Sequence, residues 1–129
     1  MARATAGYEE HGEEDSPGAL PQPPRDEIDL GRVLAALADP MRRTVVATLA
    51  TAPEGFEQHC SAFGLPVSKQ TRTHHFRVLR ESGLVSMTDR GNRVLTSLRR
   101  RDMEARFPGL LALVVADAAQ DRQQDRSED

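Results

Sequence analysis

Apolar residues recur at helical spacing in the first part of the chain's central region. An i, i+3, i+4, i+7 series predicts an amphipathic helix from about residue 26 to residue 38, and its members are Leu30, Val33, Leu34 and Leu37. Asp39 and Pro40 then indicate a new helix start, because Asp caps free N–H groups and Pro is tolerated in the first turn. The second helix is expected to end near Thr51, with these residues facing inward: Met41, Val45 and Leu49.

Two further helices are predicted before the pattern changes. A short one is expected over residues 56 to 63, on an apolar stripe made of Phe56, His59, Cys60 and Phe63. The next begins after Ser68, a good helix cap, and ends before Gly83, since glycine is the usual left-handed residue after a helix. Gly64 ends the short helix, and residues 65 to 67 connect it to the cap at Ser68.

The pattern after Gly83 is typical of strands. Residues 84 to 88 and 93 to 98 flank the turn Asp89-Arg90-Gly91-Asn92, which predicts a β-hairpin. A last helical region, broken at Pro108-Gly109, carries the apolar residues between 110 and 115. Two helices joined by a short turn and followed by a hairpin are typical of a helix-turn-helix with a wing.

The predicted fold is therefore mainly α-helical with a small β-hairpin wing, in one domain over residues 26 to 119. Residues 1 to 25 are acidic and rich in proline, and residues 120 to 129 are almost wholly polar. Such compositions bury too little apolar surface to offset the loss of chain entropy on folding. Both tails are expected to be disordered.

Charge is distributed unevenly along the chain, although the net charge is only −3. Residues 30 to 113 hold thirteen basic and seven acidic residues, whereas the segments before and after them are acidic. The basic residues are densest from 67 to 101, with nine Lys and Arg against two acids. A local basic cluster indicates contact with phosphates, with a solvated charged surface as the alternative.

Two segments resemble a known family. LAALADPMRRTVVATLA (residues 34 to 50) and HHFRVLRESGLV (residues 74 to 85) resemble the ArsR/SmtB family of winged-helix bacterial repressors. Members commonly show an ALADPxRRxIL-like second helix and an SxHLxVLRxAGLV-like recognition helix, and the resemblance covers about Val33 to Leu98. It implies a homodimer that binds a roughly palindromic operator in double-stranded DNA and represses transcription.

The resemblance also implies that the first and last helices pair the two subunits. The matching candidates for the dimer interface are Leu30, Val33, Leu34, Leu37, Leu110, Leu111, Val114 and Val115. Packing of these residues on their own core is the alternative. A domain of this size buries only part of its apolar surface, which favours burial between subunits.

The helix between Ser68 and Gly83, which matches the recognition helix of the family, has one face that suits contact with DNA. Successive helical residues turn by about 100°, so residues three and four apart share a face. The residues expected to read base edges, through an amide, a hydroxyl, an imidazole and a guanidinium, are Gln70, Thr73, His74 and Arg77. Phosphate contacts are expected from the helix start and the wing turn, through Ser68, Lys69, Arg90 and Arg93. Solvated polar residues without a ligand are the alternative.

Adjacent histidines in this helix must point in different directions. His75 is expected to pack beneath the helix and His74 to face outward, so they do not form a shared metal or proton-relay site. Arg72 stands where the family usually has an apolar residue, and its role stays open. So does the role of residues 99 to 101, three arginines that could extend the basic surface, belong to the start of the last helix or contact an acidic tail.

The sequence predicts no catalytic residue, metal site or cofactor. Metal-sensing relatives use cysteine clusters or carboxylate and histidine ligands, which Cys60, Asp117 and Asp121 do not supply. Cys60 is expected to be a small core residue, with redox-responsive regulation as the alternative. A winged-helix protein-interaction module is a second alternative. Gly-rich phosphate loops and nucleophile motifs are lacking, so an enzyme is not expected. The sequence does not indicate whether the protein has an inducer, or whether such an inducer is a metal or a small molecule.

The sequence also favours a cytoplasmic location without membrane contact. A single cysteine cannot form an internal disulfide. The first residues show no apolar segment typical of a signal peptide, and the longest apolar run, residues 110 to 116, is far shorter than the ~20 residues of a membrane span.

Overall fold

Five α-helices surround one face of a small antiparallel sheet in a computed structural model, which describes residues 17 to 128. The elements in chain order are α1 (Leu30–Leu37), α2 (Pro40–Thr51), β1 (Gln58–His59), α3 (Lys69–Ser82), β2 (Val85–Asp89), β3 (Val94–Leu98), α4 (Arg100–Arg106) and α5 (Leu110–Glu128). No helix in this described part is long and apolar enough to cross a membrane.

Side-chain caps fix where the first two helices begin. The Asp39 carboxylate accepts hydrogen bonds from the backbone N–H groups of Met41 (2.8 Å) and Arg42 (3.2 Å), so α2 begins at Pro40 as predicted. Asp29 accepts a bond from Arg32 N at 3.0 Å and starts α1 at Leu30. The prediction placed this start at residue 26, but the chain there forms only a 3-10 turn, Arg25–Glu27.

Helix α3 has the predicted bounds. The Ser68 hydroxyl accepts a hydrogen bond from Thr71 N at 3.1 Å, and Gly83 ends the helix with φ of 94°. Gly83 is also packed closely, because a Cβ at this position would lie 2.7 Å from Cγ1 of Ile28. A glycine is therefore required here both by the backbone angle and by the neighbouring side chain.

The predicted third helix over residues 56 to 63 is wrong. Gln58 and His59 form strand β1, which pairs with β3 through Thr96 and Leu95, and only Cys60–Phe63 forms a 3-10 turn. The segment between Gly55 and Gly64 is too short to gain much from helical hydrogen bonds. Pairing with β3 satisfies its backbone groups instead.

The wing is the hairpin of β2 and β3, in the sheet order β1-β3-β2. The two strands run in register from Val85 opposite Leu98 to Asp89 opposite Val94, within one residue of the predicted bounds. The Asp89 carboxylate accepts a hydrogen bond from Gly91 N at 2.8 Å, which closes the turn.

Residues 17 to 28, called the strap below, precede α1, and residues 18 to 20 lie along the free side of β2. Leu20 N donates to Met87 O (3.0 Å) and Asp89 N donates to Gly18 O (2.8 Å), so the strap continues the sheet. The predicted disordered tail is therefore wrong for residues 17 to 25, because remote partners satisfy their backbone groups. Residues 1 to 16 of that predicted tail lie outside the described residues.

The last helical region breaks at Pro108-Gly109 as predicted, but α5 continues to Glu128. The disordered tail predicted from residue 120 is thus replaced by helix as far as that residue, and Asp129 lies outside the described residues. Residues 120 to 126 are all exposed. The helix here is held by its own backbone hydrogen bonds and by residues with high helix propensity, since five of these seven residues are Gln or Arg.

One apolar core joins α1, α2, α3, α5 and the inner face of the sheet. Its largest fully buried side chains are Phe76, Ile28, Leu49, Leu79, Leu84, Met103, Val33, Val45, Val46 and Val85. Met41, predicted to face inward, is only partly buried. This core packs α3 against the sheet and leaves the outer face of α3 exposed to solvent.

Candidate nucleic-acid interface

The outer face of α3 carries the predicted base-reading residues. Gln70, Thr73, His74 and Arg77 are all exposed, whereas Phe76 and Leu79 on the opposite face are at most 1% exposed. The helical spacing of the sequence produces this division directly. The four side chains are therefore available to a ligand of α3.

The adjacent histidines differ as predicted. His75 is 7% exposed, and its Nδ1 lies 3.0 Å from Nη1 of Arg42 on α2. His74 is exposed, and the centroids of the two rings are 6.1 Å apart. His75 is thus a structural residue, while His74 belongs to the outer face.

The start of α3 carries two candidate phosphate contacts. Lys69 is exposed, and no hydrogen bond or ion pair links its side chain to another described residue. The Ser68 hydroxyl is already used, since it accepts from Thr71 N and donates to Thr71 Oγ1 at 3.1 Å. Lys69 is therefore the better placed of the two for an anion.

The wing turn brings Arg90 and Arg93 to the surface. Both side chains are exposed, and the Arg90 N–H donates to Arg93 O at 2.8 Å across the turn. A cleft of about 790 Å³ separates α3 from the wing, and predicted site residues on both sides line it: Lys69, Thr73, Arg77 and Arg93. Asn92, which the sequence analysis did not select, lines it too. Ser68, Gln70, His74 and Arg90 lie outside its wall.

The cationic side chains of the chain fall into two groups. Lys69, Arg77, Arg90 and Arg93 form no side-chain hydrogen bond or ion pair within the described part of the chain. The arginines at residues 99 to 101, by contrast, all bind protein groups. Unpaired cations on one surface produce a positive potential that attracts phosphate.

The arginine triplet therefore has a structural role. Arg100 donates to the carbonyl oxygens of Ala50 (3.0 Å), Leu49 (3.3 Å) and Ala52 (2.9 Å), and so caps the end of α2. Arg101 pairs with Glu54 at 2.8 Å. The triplet fixes the start of α4 and does not extend the basic surface.

Arg99 and Arg25 both pair with Asp102, through Nε–carboxylate distances of 2.7 and 2.6 Å. Partial burial by itself raises the pKa of Asp102, but the hydrogen bonds from Arg25 and Arg99 outweigh it, and the pKa lies below its ordinary value. Arg99 also donates to Pro23 O at 2.7 Å. These contacts fasten the strap to α4.

Cys60 lies half-buried at the base of the cleft. Its Sγ is 3.3 Å from Oγ1 of Thr96, which is fully buried. Burial raises the pKa of the Cys60 thiol, although the Thr96 hydrogen bond and the charge of Arg72 act in the opposite direction. The redox alternative assumed a lowered pKa, so the structure removes its premise.

Arg72, whose role the sequence left open, is partly buried and lines the same cleft. Its side chain forms no hydrogen bond or ion pair with the residues described. It faces the cleft beside Cys60 and is not part of the exposed outer face of α3. Among residues 17 to 128, no group of three or more His, Cys, Asp and Glu side chains is arranged to hold a metal.

The predicted dimer residues divide into two sets. Four of them are buried in the chain's own core, and these are Val33, Leu37, Leu111 and Val114. They cannot form a surface between subunits, so the prediction is wrong for them. Leu30 and Leu34 remain 46% and 50% exposed, and Leu110 and Val115 are partly buried. Leu113, which was not selected although it lies in the same apolar run, is 66% exposed.

No protein-family model and no curated protein matches this sequence. Solved structures do match. The crystal structure of an ArsR family transcriptional regulator has a TM-score of 0.52 at 20% identity, and the match covers 78% of this chain and 97% of that one. The transcriptional repressor BigR from Xylella fastidiosa has a TM-score of 0.50 at 22% identity, covering 67% of this chain and 80% of that one.

Proposed function

We propose that this chain, which has the winged-helix fold of ArsR-type regulators, is a DNA-binding transcriptional regulator. The observation that carries the proposal is the set of four unpaired cations on α3 and the wing, Lys69, Arg77, Arg90 and Arg93. Among the other described cations, Arg100 caps the end of α2 and Arg101 pairs with Glu54, whereas Arg32 on α1 is exposed without a side-chain partner. The four cations of the set are distinguished by lying on two neighbouring elements, α3 and the wing.

The outer face of α3 enters the major groove in this proposal. Gln70 can pair with adenine and Arg77 with guanine, while Thr73 and His74 lie between them on the same face. Lys69 at the helix start and Arg90 and Arg93 on the wing contact phosphates on either side. Phosphate contacts give affinity, and the α3 side chains give sequence preference.

The active form is a homodimer that binds a roughly palindromic operator and represses transcription. Exposed apolar side chains on α1 and α5 support pairing of subunits through these helices: Leu30, Leu34 and Leu113. Two copies of α3 related by a two-fold axis fit half-sites about 10 base pairs apart, or a small multiple of this distance. Occupation of a promoter by such a dimer excludes the polymerase.

Salt-dependent binding to duplex DNA tests the proposal. The logarithm of the affinity should fall linearly with the logarithm of salt concentration, with a slope of about −0.9 for each phosphate neutralised. Arg93→Gln should reduce this slope by about 1. Arg32→Gln, which removes an exposed arginine from α1, is the matched control and should leave it unchanged.

The outcome distinguishes the proposal from the main alternative. Failure to bind any duplex at low salt, by a chain that is folded and dimeric, would instead support a winged-helix protein-interaction module. A footprint on the DNA upstream of the chain's own gene then identifies the operator, and its symmetry tests the dimer model.

A further inference from the structure

The cleft between α3 and the wing has an apolar base. Phe76 of α3, Met87 of β2, Val94 of β3 and Leu20 of the strap contribute its apolar wall, and Cys60 lies beside them. The cleft volume of about 790 Å³ is within the range of small-molecule sites, which are about 300 to 1,000 Å³. The strap completes this cavity, because Leu20 is held in place by its backbone bond to Met87.

The rim of the cleft is strongly cationic. Five basic residues line it, Lys69, Arg72, Arg77, Arg80 and Arg93, against one acid, Asp89. The Asp89 carboxylate accepts a hydrogen bond from Gly91 N, and its side chain pairs with none of the five cations within residues 17 to 128. The rim therefore attracts an anion, while the base offers apolar contacts.

One cation at this wall has an unsatisfied donor. The Nη1 of Arg80 donates to Pro21 O of the strap, but its Nε is buried without a hydrogen-bond acceptor among the described residues. A buried donor without a partner is energetically unfavourable, most of all in a charged group. The exposed Lys69, Arg77 and Arg93 of the rim, rather than this buried atom, are the donors that a carboxylate or sulfonate oxygen can reach.

We propose that this cleft binds a small amphipathic anion, with a carboxylate or sulfonate on the cationic rim and an apolar body on the base. The ligand competes with DNA, because Lys69, Arg77 and Arg93 belong both to the cleft and to the proposed DNA surface. This competition rests on the proposed function, whereas binding of the anion does not.

Cys60 provides a direct test in the unmodified protein, since it is the chain's single cysteine. The rate at which N-ethylmaleimide, an uncharged reagent, alkylates Cys60 is measured by mass spectrometry with and without 1-anilinonaphthalene-8-sulfonate. The sulfonate should slow alkylation and should fluoresce on binding. N-phenyl-1-naphthylamine, which lacks only the sulfonate, should protect Cys60 far less. Equal protection by the two compounds would overturn the proposal, because it would show apolar binding alone.

A charge-removing double variant tests the rim. Arg72→Gln with Arg93→Gln should weaken sulfonate binding by about tenfold or more, because it removes two donors of charge-assisted hydrogen bonds from the rim. Arg32→Gln with Arg122→Gln removes two exposed arginines from α1 and α5 and should change binding less than about twofold. Equal binding by both double variants, each with an unchanged melting temperature, would reject the cationic rim as the anion site.

Competition with duplex DNA is measured separately. Displacement of bound DNA by the sulfonate, at concentrations that protect Cys60, supports the regulatory part of the proposal. Protection of Cys60 without displacement would overturn that part and leave the binding site in place. Protection of Cys60 by a chain that binds no duplex at all would contradict the proposed function and still support the anion site.

Discussion

Nη1 of Arg42 lies 3.0 Å from Nδ1 of His75, and this contact links the start of α2 to the buried face of α3. The same guanidinium donates through Nε to Ala36 O at 2.7 Å, at the end of α1. Because a guanidinium has donors only, Nδ1 of His75 must accept, which places the hydrogen of the neutral imidazole on Nε2. One partly buried hydrogen-bond network therefore joins α1, α2 and the inner face of α3.

Replacement of the two adjacent histidines should separate stability from DNA binding. His75→Ala removes a buried ring and leaves an Arg42 donor without its acceptor, so the free energy of unfolding should fall by about 2 to 3 kcal/mol. His74→Ala alters an exposed position, so it should change the free energy of unfolding by less than about 0.5 kcal/mol. The same substitution should lower DNA affinity. Urea denaturation measures the first effect. Equal loss of stability in both variants would contradict the division of roles.

Gly83 and Gly91 form a matched pair for testing the packing of the strap. Both have positive φ, at 94° and 93°, but a Cβ at Gly83 meets Ile28 whereas a Cβ at Gly91 meets no atom within 4 Å. Gly91→Ala should destabilise the protein by about 1 to 2 kcal/mol through the backbone alone. Gly83→Ala should lower the free energy of unfolding by about 1 to 3 kcal/mol more than Gly91→Ala does, because overpacking against Ile28 adds to the backbone cost. Thermal unfolding of both variants checks the difference, and equal values would exclude the steric contribution of Ile28.

Asp102 should make stability depend on pH in the acid range. Its pKa in the folded protein is lowered below the ordinary value of 3.8, so its contribution is complete above that pH and is lost as the pH falls through the folded-state pKa. Asp102→Asn should therefore lower the free energy of unfolding by about 1 to 3 kcal/mol near neutral pH. The difference from the unmodified protein should shrink below about pH 4. A difference that stays constant between pH 7 and pH 3 would contradict the ion-pair account.

The exposed leucine of α1 should govern dimerisation, and its buried neighbour should govern folding. Leu34→Glu places a charge in the proposed subunit interface, so it should shift the protein to a monomer with little loss of protomer stability. Val33→Ala, at a fully buried position, should lower stability by about 2 kcal/mol without a separate effect on pairing. Sedimentation velocity at several concentrations checks both. Retention of the dimer by Leu34→Glu would remove α1 from the interface.

Arg77 and Arg90 should differ in how they affect specificity. Arg77→Ala should cost about 1 to 3 kcal/mol on the operator and relax the preference at one base pair, if the guanidinium reads a base edge. Arg90→Ala should weaken binding to operator and random duplex alike, since a phosphate contact carries no base preference. Gln70→Ala should behave like Arg77→Ala. Equal losses on both kinds of DNA for Gln70→Ala would refute base reading by Gln70.

The sequence predicts the elements that local chemistry determines. The bounds of α2 and α3 follow from the caps at Asp39 and Ser68 and from Gly83, all within a few residues of the helices that they end. The alternation of buried and exposed residues on α3 follows from helical spacing in the same way. These features need no knowledge of remote partners.

Features that depend on remote contacts were not predictable in this way. Hydrogen bonds to the strap come from Arg80 and Arg99, 59 and 76 residues away in sequence, and nothing in the composition of residues 17 to 25 indicates them. Strand β1 forms because β3 lies beside it. Periodicity also identifies an apolar stripe without showing what covers it, which is why half of the predicted dimer residues proved to be core.

The strap also covers backbone groups at the outer edge of β2. The outer edge of a sheet presents unpaired backbone N–H and C=O groups that can recruit a strand from another chain. Here Gly18 and Leu20 already bind the backbone groups of Asp89 and Met87, so β2 offers no free template at these positions. Removal of the strap would leave these backbone groups of β2 unpaired, as in an exposed edge strand. The strap thus covers an edge through which the sheet could pair with another chain.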